Sequence, residues 1–330
     1  MSKHKNVGEA FARARANIAV AKYWGKSDVR RNLPAVPSVS LTLDGLLTET
    51  TVAFDPSLDA DQVRLDGRPA TESEARRVVQ LLDRVRRAAG HRIRARVDSR
   101  NDFPTAAGLA SSASGFAALA AAATRAAGLK WSPRRLSALA RQSSASAARS
   151  IFGGWAELPA GVKGDADLAA RPLHPEDWWD VRLVVAKAAA GPKKIGSTQG
   201  MERSRKTSPL YDAWVEKAAG LTRKIKRALR QRDLDALGEA MEQSTYSFHA
   251  CAMSARPSVL YWQPTTIAVL RTVEKLRERG VSAWATMDAG PHVKVLCHAA
   301  DAPKVRRALG ATDGVLGTMV AKPGPGIELR

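Results

Sequence analysis

Cysteine is nearly absent from this chain, which contains only Cys251 and Cys297 among its 330 residues. No Cys-X-X-Cys pair occurs, so the sequence offers neither a disulfide framework nor a cysteine zinc site, and two reduced thiols are expected. Aromatic residues make up 5% of the chain, which is too few for the stacking platform of a single-strand nucleic-acid binder. No run of about 18 apolar residues occurs, and the N-terminal segment lacks an apolar signal core. We therefore expect a cytoplasmic protein with no membrane segment.

Acidic residues are also scarce, since 32 Asp and Glu face 52 Lys and Arg, for a formal net charge of +20. The basic residues cluster at 84–87 and 223–230, where apolar residues recur at helical intervals. We favour solvated helix faces as the explanation. A positive field that attracts polyanionic substrates comes second, and nucleic-acid binding comes third.

Hydrophobic periodicity predicts that the first third of the chain is rich in strands. Strands are expected over residues 14–21, 38–43, 48–54 and 92–97, and a helix is expected over residues 72–89. Of two further helices, one should begin near Ser112 and end before Gly128. The other should begin at Ser132-Pro133 and run toward Arg149.

A shift of composition over residues 172–180 predicts a domain boundary. Beyond it we expect a strand over 181–186, helices over 211–230 and 265–279, and a hairpin of 282–286 with 293–298. This mixture of helices and antiparallel strands indicates an α+β second half. The predicted domains are therefore residues 1–180 and 181–330.

A run of small residues, PTAAGLASSASG over 104–115, carries the strongest functional signal. Gly108 permits backbone conformations that a side chain would forbid, and small neighbours let backbone N–H groups close around phosphate oxygens. The run leads into a helix N-terminus, which favours an anion. A turn before a tightly packed alanine helix would explain the alanines but not the three serines. No Gly-Lys-Ser/Thr follows, so the run is not a Walker loop.

This run resembles the phosphate loop of the GHMP kinases, and further segments narrow the resemblance to the diphosphomevalonate decarboxylases. Residues 17–26, NIAVAKYWGK, followed by 32–34 and 38–43, are similar to the N-terminal signature of that family. Three more segments are similar, respectively, to its arginine motif, its serine loop and its catalytic aspartate turn: 144–155, 193–201 and 287–291. The resemblance extends over nearly the whole chain.

The resemblance implies a two-domain GHMP kinase fold of the α+β class. The β-rich N-terminal domain would carry the ATP phosphate loop, and a ferredoxin-like α+β C-terminal domain would carry the catalytic aspartate. The implied reaction is the ATP-dependent decarboxylation of mevalonate 5-diphosphate to isopentenyl diphosphate, through phosphorylation of the C3 hydroxyl, loss of phosphate and release of carbon dioxide. Mg²⁺ should arrive with ATP, because no carboxylate cluster offers a site on the protein itself. A homodimer is usual in the family, and neither a nucleic-acid nor a membrane partner is expected.

The resemblance also implies which residues form the site. The catalytic residues would be Asp288, Arg149 and Lys22. The substrate-binding residues would be Tyr23, Trp24, Ser144, Ser146, Arg149 and Ser197. The ATP-binding residues would be Gly108, Leu109, Ala110, Ser111, Ser112 and Ser114.

These residue types suit the chemistry. A carboxylate can orient or deprotonate the hydroxyl and can stabilise a cation at C3, and an arginine can hold the substrate carboxylate through two hydrogen bonds. Without the motifs, Arg149 would be interpreted as a surface residue of an amphipathic helix and Asp288 as an ordinary turn former.

Two departures from the family pattern concern substrate choice. Val36-Pro37 and His292 stand where asparagine is common in the family, so a decarboxylase of mevalonate 5-phosphate is an alternative. A mevalonate 3-kinase is another, although those kinases tend to lack the aspartate, lysine and arginine that are all present here. From a different class, a basic nucleic-acid-binding module stays open, because the expected fold of the first domain also occurs in a ribosomal protein.

Overall fold

The computed structural model describes residues 7–102, 111–191 and 194–330. Gly108, Leu109 and Ala110 of the predicted ATP loop lie outside the described residues. The strands are β1 (Glu9–Ala21), β2 (Lys26–Asp28), β3 (Leu33–Pro34), β4 (Ser38–Asp55), β5 (Gln62–Leu65), β6 (Arg68–Pro69), β7 (Arg94–Asn101), β8 (Trp155–Leu158), β9 (Arg171–His174), β10 (Val181–Ala186), β11 (Ala283–Met287), β12 (Val293–His298), β13 (Thr318–Ala321) and β14 (Glu328–Leu329). The helices are α1 (Glu72–Ala89), α2 (Ser111–Ala126), α3 (Pro133–Ser143), α4 (Ser197–Thr207), α5 (Tyr211–Gln231), α6 (Leu234–Met253), α7 (Pro264–Glu278) and α8 (Ala302–Gly310), with 3-10 helices over Ala145–Ile151 and Ala299–Asp301.

The first sheet has the order β14-β1-β4-β7-β5-β6, and β8 and β9 extend it from β4. Its long strand β4 pairs with β1, with β8 near its start and with β7 near its end. Periodicity predicted two strands, 38–43 and 48–54, where the structure has one. The chain stays in the sheet because Gly45, with φ of 86°, lets the strand bend where the β1–β4 register shifts.

Helices α1, α2 and α3 cover one face of this sheet and enclose its apolar core. The predicted bounds of α1 are confirmed, and a capping box between Thr71 and Glu74 defines its start. The helix that was predicted from Ser132-Pro133 toward Arg149 is shorter than expected. It ends at Ser143 because Ser144 is extended (φ −154°, ψ 118°), and the chain continues as the 3-10 helix that carries Arg149.

The second sheet, β11-β12-β10-β13, is antiparallel throughout. The predicted strand over 181–186 and the predicted hairpin are confirmed, while periodicity did not reveal α4, α6 or α8. One apolar cluster joins side chains of the first sheet, the second sheet, α5 and α6. The end of the chain returns to the first sheet, where β14 pairs with β1. The boundary at residue 180 stays a prediction.

The basic clusters lie only partly on solvated helix faces. On α5, Arg223, Lys224 and Arg227 are exposed while Ile225 is buried, as the favoured interpretation expects. Arg86 differs, because it is buried and ion-paired with Asp61 and Asp83. None of the described helices is both long enough and apolar enough to cross a membrane.

Candidate active site

A cleft of about 580 Å³ collects side chains from segments that are far apart in the sequence. The end of β1, the start of α2, the 3-10 helix, the start of α4 and the turn after β11 all contribute to its lining. The predicted site residues that line it are Lys22, Tyr23, Trp24, Ser111, Ser112, Ser144, Ser146, Arg149, Ser197 and Asp288. The tertiary structure thus brings the implied catalytic and substrate-binding sets together in one place.

Asp288 follows β11 and is held by two lysines. The Lys22 Nζ atom donates to Asp288 Oδ1 at 2.7 Å, and the Lys294 Nζ atom lies 3.2 Å from Oδ2. Both lysine side chains are buried, at 2% and 0% exposure, whereas the Asp288 side chain is 28% exposed. One ammonium group therefore lies at each carboxylate oxygen, and the carboxylate still faces the cleft.

The charges around Asp288 determine its protonation state. Burial by itself would raise the pKa of Asp288, but the charges and hydrogen bonds of Lys22 and Lys294 outweigh it and hold the pKa well below its usual range. Burial lowers the pKa of Lys22 to about 8, although the Asp288 carboxylate opposes that shift. Near neutral pH, Asp288 is an anion and Lys22 is largely a cation.

Arg149 is buried at 2% exposure with neutral hydrogen-bond partners. Its Nε donates to Ser40 Oγ at 2.9 Å, its Nη1 to Ser38 Oγ at 2.5 Å and its Nη2 to Asn17 Oδ1 at 3.3 Å. Burial lowers the pKa of Arg149 to about 10, so the guanidinium stays charged. In the described part of the chain it forms no ion pair. A buried guanidinium that is oriented by neutral groups is suited to binding an anion from the cleft.

Hydroxyl groups supply further donors. Among the described residues, the buried Tyr23 hydroxyl has no hydrogen-bond partner, and burial raises the pKa of this phenol, so it stays a donor. The Ser144 and Ser146 hydroxyls lie 3.0 Å apart on the lining. Ser197 begins α4, whose N-terminal end favours an anion.

A second pocket of about 170 Å³ adjoins the cleft, and Arg77, Ser111 and Ser112 line both. Its apolar lining includes Leu65, Val78, Val97, Phe116 and Leu119, and its polar lining includes Thr48, Thr50, Asp66, Ser99 and Asn101. A flat apolar ring with polar edges would fit this mixture of side chains.

Ser114 is placed differently from the other predicted serines. It is fully buried, accepts a hydrogen bond from Thr48 Oγ1 at 2.7 Å and lines neither pocket. The structure therefore gives no support for a direct contact between its hydroxyl and ATP. The two departures from the family pattern, at Val36-Pro37 and His292, also do not line the cleft. His292 instead accepts a hydrogen bond from the Ala188 N–H.

Sequence reasoning missed three site residues. Asn17 orients Arg149, Lys294 contacts Asp288, and Arg77 lines both pockets. A lysine within an otherwise apolar strand was a signal for Lys294. Arg77 gave none, since an arginine on an amphipathic helix usually faces solvent.

Two models of known protein families match this chain, and together they cover most of it. Residues 14–170 match the model of the Diphosphomevalonate decarboxylase-like N-terminal domain, and residues 183–313 match that of the Mevalonate 5-diphosphate decarboxylase C-terminal domain. The chain belongs to the diphosphomevalonate decarboxylase family. The predicted resemblance is therefore confirmed.

Individual relatives and solved structures support the same assignment. A Diphosphomevalonate decarboxylase from Schizosaccharomyces pombe is 35% identical, over 88% of this chain and 79% of its own length. A Phosphomevalonate decarboxylase from Haloferax volcanii is 34% identical, over 87% of each chain. Mevalonate diphosphate decarboxylase from Staphylococcus aureus superposes with a TM-score of 0.93 at 36% identity, over 98% of each chain. The structure of MDDEF in complex with MVAPP, AMPPCP and Magnesium has a TM-score of 0.92 at 37% identity, over 98% of this chain and 99% of its own. The predicted α+β GHMP kinase fold is confirmed.

Proposed function

We propose that this member of the diphosphomevalonate decarboxylase family is an ATP-dependent carboxy-lyase that converts mevalonate 5-diphosphate to isopentenyl diphosphate. The observation that carries the proposal is the charge of the cleft. Among its described lining residues Asp288 is the single acidic one, whereas Lys22, Lys26, Arg77 and Arg149 are basic. Such a cleft suits a substrate with a carboxylate and phosphates, together with the phosphates of ATP.

Arg149 would hold the carboxylate of the substrate, because its guanidinium is already oriented by Ser38, Ser40 and Asn17. This would align the bond between C1 and C2 for cleavage. Tyr23, Ser144, Ser146 and Ser197 would donate to the 5-diphosphate, as the resemblance implies.

Asp288 would accept a hydrogen bond from the C3 hydroxyl and orient it toward the γ-phosphate. Its lysine partners make it a weak base, so the proton would leave the hydroxyl late in phosphoryl transfer. When phosphate then departs from C3, the Asp288 anion would stabilise the positive charge that develops there. The electron pair of the C1–C2 bond becomes the C2–C3 double bond as carbon dioxide leaves.

ATP would place its phosphates at the N-terminus of α2 and its base in the second pocket, where Phe116 and Val78 offer apolar contact. No described group of three or more His, Cys, Asp or Glu side chains is arranged to hold a metal ion. The hydroxyl oxygens of Ser111 and Ser112 are suitable ligands for Mg²⁺ beside the phosphates. Mg²⁺ bound with ATP would neutralise phosphate charge during transfer.

A paired assay with mevalonate 5-diphosphate and mevalonate 5-phosphate tests the proposal. We expect ADP and carbon dioxide in equal amounts, with a higher kcat/KM for the diphosphate. A higher kcat/KM for the monophosphate would make this chain a phosphomevalonate decarboxylase, like the Haloferax volcanii relative. ADP without carbon dioxide would indicate a mevalonate 3-kinase, and no turnover of either compound would refute the proposed activity.

The pKa of Lys22 predicts a loss of activity at alkaline pH. The protonated lysine pairs with Asp288, and this form disappears as pH rises through about 8, the pKa of Lys22. We therefore expect kcat/KM to fall tenfold per pH unit above that value, since kcat/KM reports the free enzyme. A pH profile of kcat/KM for an enzyme that stays folded over the whole range checks this. A flat profile well above pH 8 would contradict a role for the Lys22 charge.

The proposal includes a cytoplasmic location and a homodimer, without a nucleic-acid or membrane partner. Size-exclusion chromatography with light scattering would test the dimer directly.

A further inference from the structure

Lys294 is a charged residue in the middle of an apolar strand. On β12 its neighbours Val293 and Val295 pack into the core beneath α7 and α8, so Lys294 faces the opposite side of the sheet, together with Leu296. The strand lies inside the sheet between β10 and β11, and the Lys294 side chain has 0% exposure. Burial of an ammonium group is costly unless an anion is nearby.

That anion is Asp288, which the proposed function uses. Lys294 Nζ lies 3.2 Å from Asp288 Oδ2, whereas Lys22, the residue after β1, binds Oδ1. With one cation at each oxygen, the carboxylate group cannot rotate without losing an ion pair. Lys294 does not line the cleft, so it would act on the reaction through residues that do line it, above all Asp288.

We propose that Lys294 is a positioning residue that fixes the orientation of the Asp288 carboxylate toward the reacting hydroxyl. The proposal rests on the proposed decarboxylase function. It assigns the two lysines different tasks, because Lys22 lines the cleft, where the substrate would bind, whereas Lys294 does not.

The charged and titratable groups around Asp288 determine what an experiment on Lys294 can measure. Asp288 interacts with Lys22, which follows β1, and with Lys294 on β12, Arg149 on the 3-10 helix and His249 on α6. His249 stays neutral, because burial lowers its pKa to about 3. The Lys294 charge is one of the influences that lower the pKa of Lys22. Removal of that charge should raise the pKa of Lys22.

The test is Lys294→Met, which keeps an unbranched side chain of nearly the same length but removes its charge. We expect kcat for carbon dioxide release to fall by about 100-fold, the effect of a small misplacement at a reacting group, with KM for ATP unchanged. We also expect the alkaline limb of the kcat/KM profile to move to higher pH. Lys304→Met, at an exposed position on α8, is the matched control and should match the wild-type enzyme in both.

The outcomes separate this proposal from the proposed function. Wild-type enzyme without decarboxylase activity would refute the function itself. Active wild type with an unchanged Lys294→Met variant would overturn the role of Lys294 alone. A slower variant whose alkaline limb does not move would also overturn it, because a merely structural defect leaves the pKa of Lys22 unaltered. If circular dichroism shows that Lys294→Met is unfolded, Lys294→Gln, which keeps a polar group without the charge, decides by the same criteria.

Discussion

Replacement of Asp288 by asparagine should lower the rate of carbon dioxide release by about two to four orders of magnitude, the range typical of lost acid–base or electrostatic groups. Asparagine keeps the size and most of the hydrogen bonding, but it removes the negative charge that faces the cleft. KM for mevalonate 5-diphosphate and for ATP should change little, since the charge acts mainly in the transition state. Single-turnover measurement of carbon dioxide and ADP checks both expectations.

The same substitution leaves Lys22 and Lys294 without their shared carboxylate. Loss of one partner from a fully buried pair costs roughly 3–5 kcal/mol, and we expect less here because Asp288 is 28% exposed. Thermal unfolding must therefore accompany the kinetics. Asp313→Asn, at an exposed turn residue outside the cleft, is the matched control and should leave turnover unchanged. Near-normal carbon dioxide release by folded Asp288→Asn enzyme would mean that Asp288 is only a turn residue without a catalytic role.

Arg149→Lys should weaken both substrate binding and turnover. Lysine keeps the positive charge, but a single ammonium group cannot bond Ser38, Ser40 and Asn17 and also present two parallel donors to a carboxylate. We expect kcat/KM for the substrate to fall by about two orders of magnitude, through a higher KM as well as a lower kcat. Steady-state kinetics with saturating ATP measures this.

Arg141→Lys is the matched control for Arg149→Lys. Arg141 is also fully buried, but its guanidinium bonds the carbonyl groups of Arg31, Ala166 and Leu168 and does not line the cleft. Both variants should lose stability, whereas only Arg149→Lys should lose substrate binding. Equal kinetic losses in the two variants would mean that Arg149 acts only through the stability of the fold.

Local physical rules were sufficient where an element depends mainly on its own residues. The capping signals at Thr71 and Glu74 and the left-handed Gly90 define α1, so its predicted bounds agree with the structure. The apolar runs of β10 and β12 likewise specify strands wherever they pair. The motifs around Lys22, Arg149 and Asp288 identified the family, because each unites residue types that its chemistry requires.

Contacts across the fold could not be predicted in this way. Asn17 and Arg149 are more than 100 positions apart in the sequence, and so are Lys22 and Asp288. They become neighbours only because the β1 segment packs against the 3-10 helix and against the turn after β11. The burial of Ser114 and the early end of α3 likewise depend on contacts that local periodicity does not predict. The sequence by itself determined the family, most secondary structure and the residue types of the chemistry. The tertiary structure alone decided which charges meet at Asp288, because electrostatic interactions depend on distance and burial, not on order along the chain.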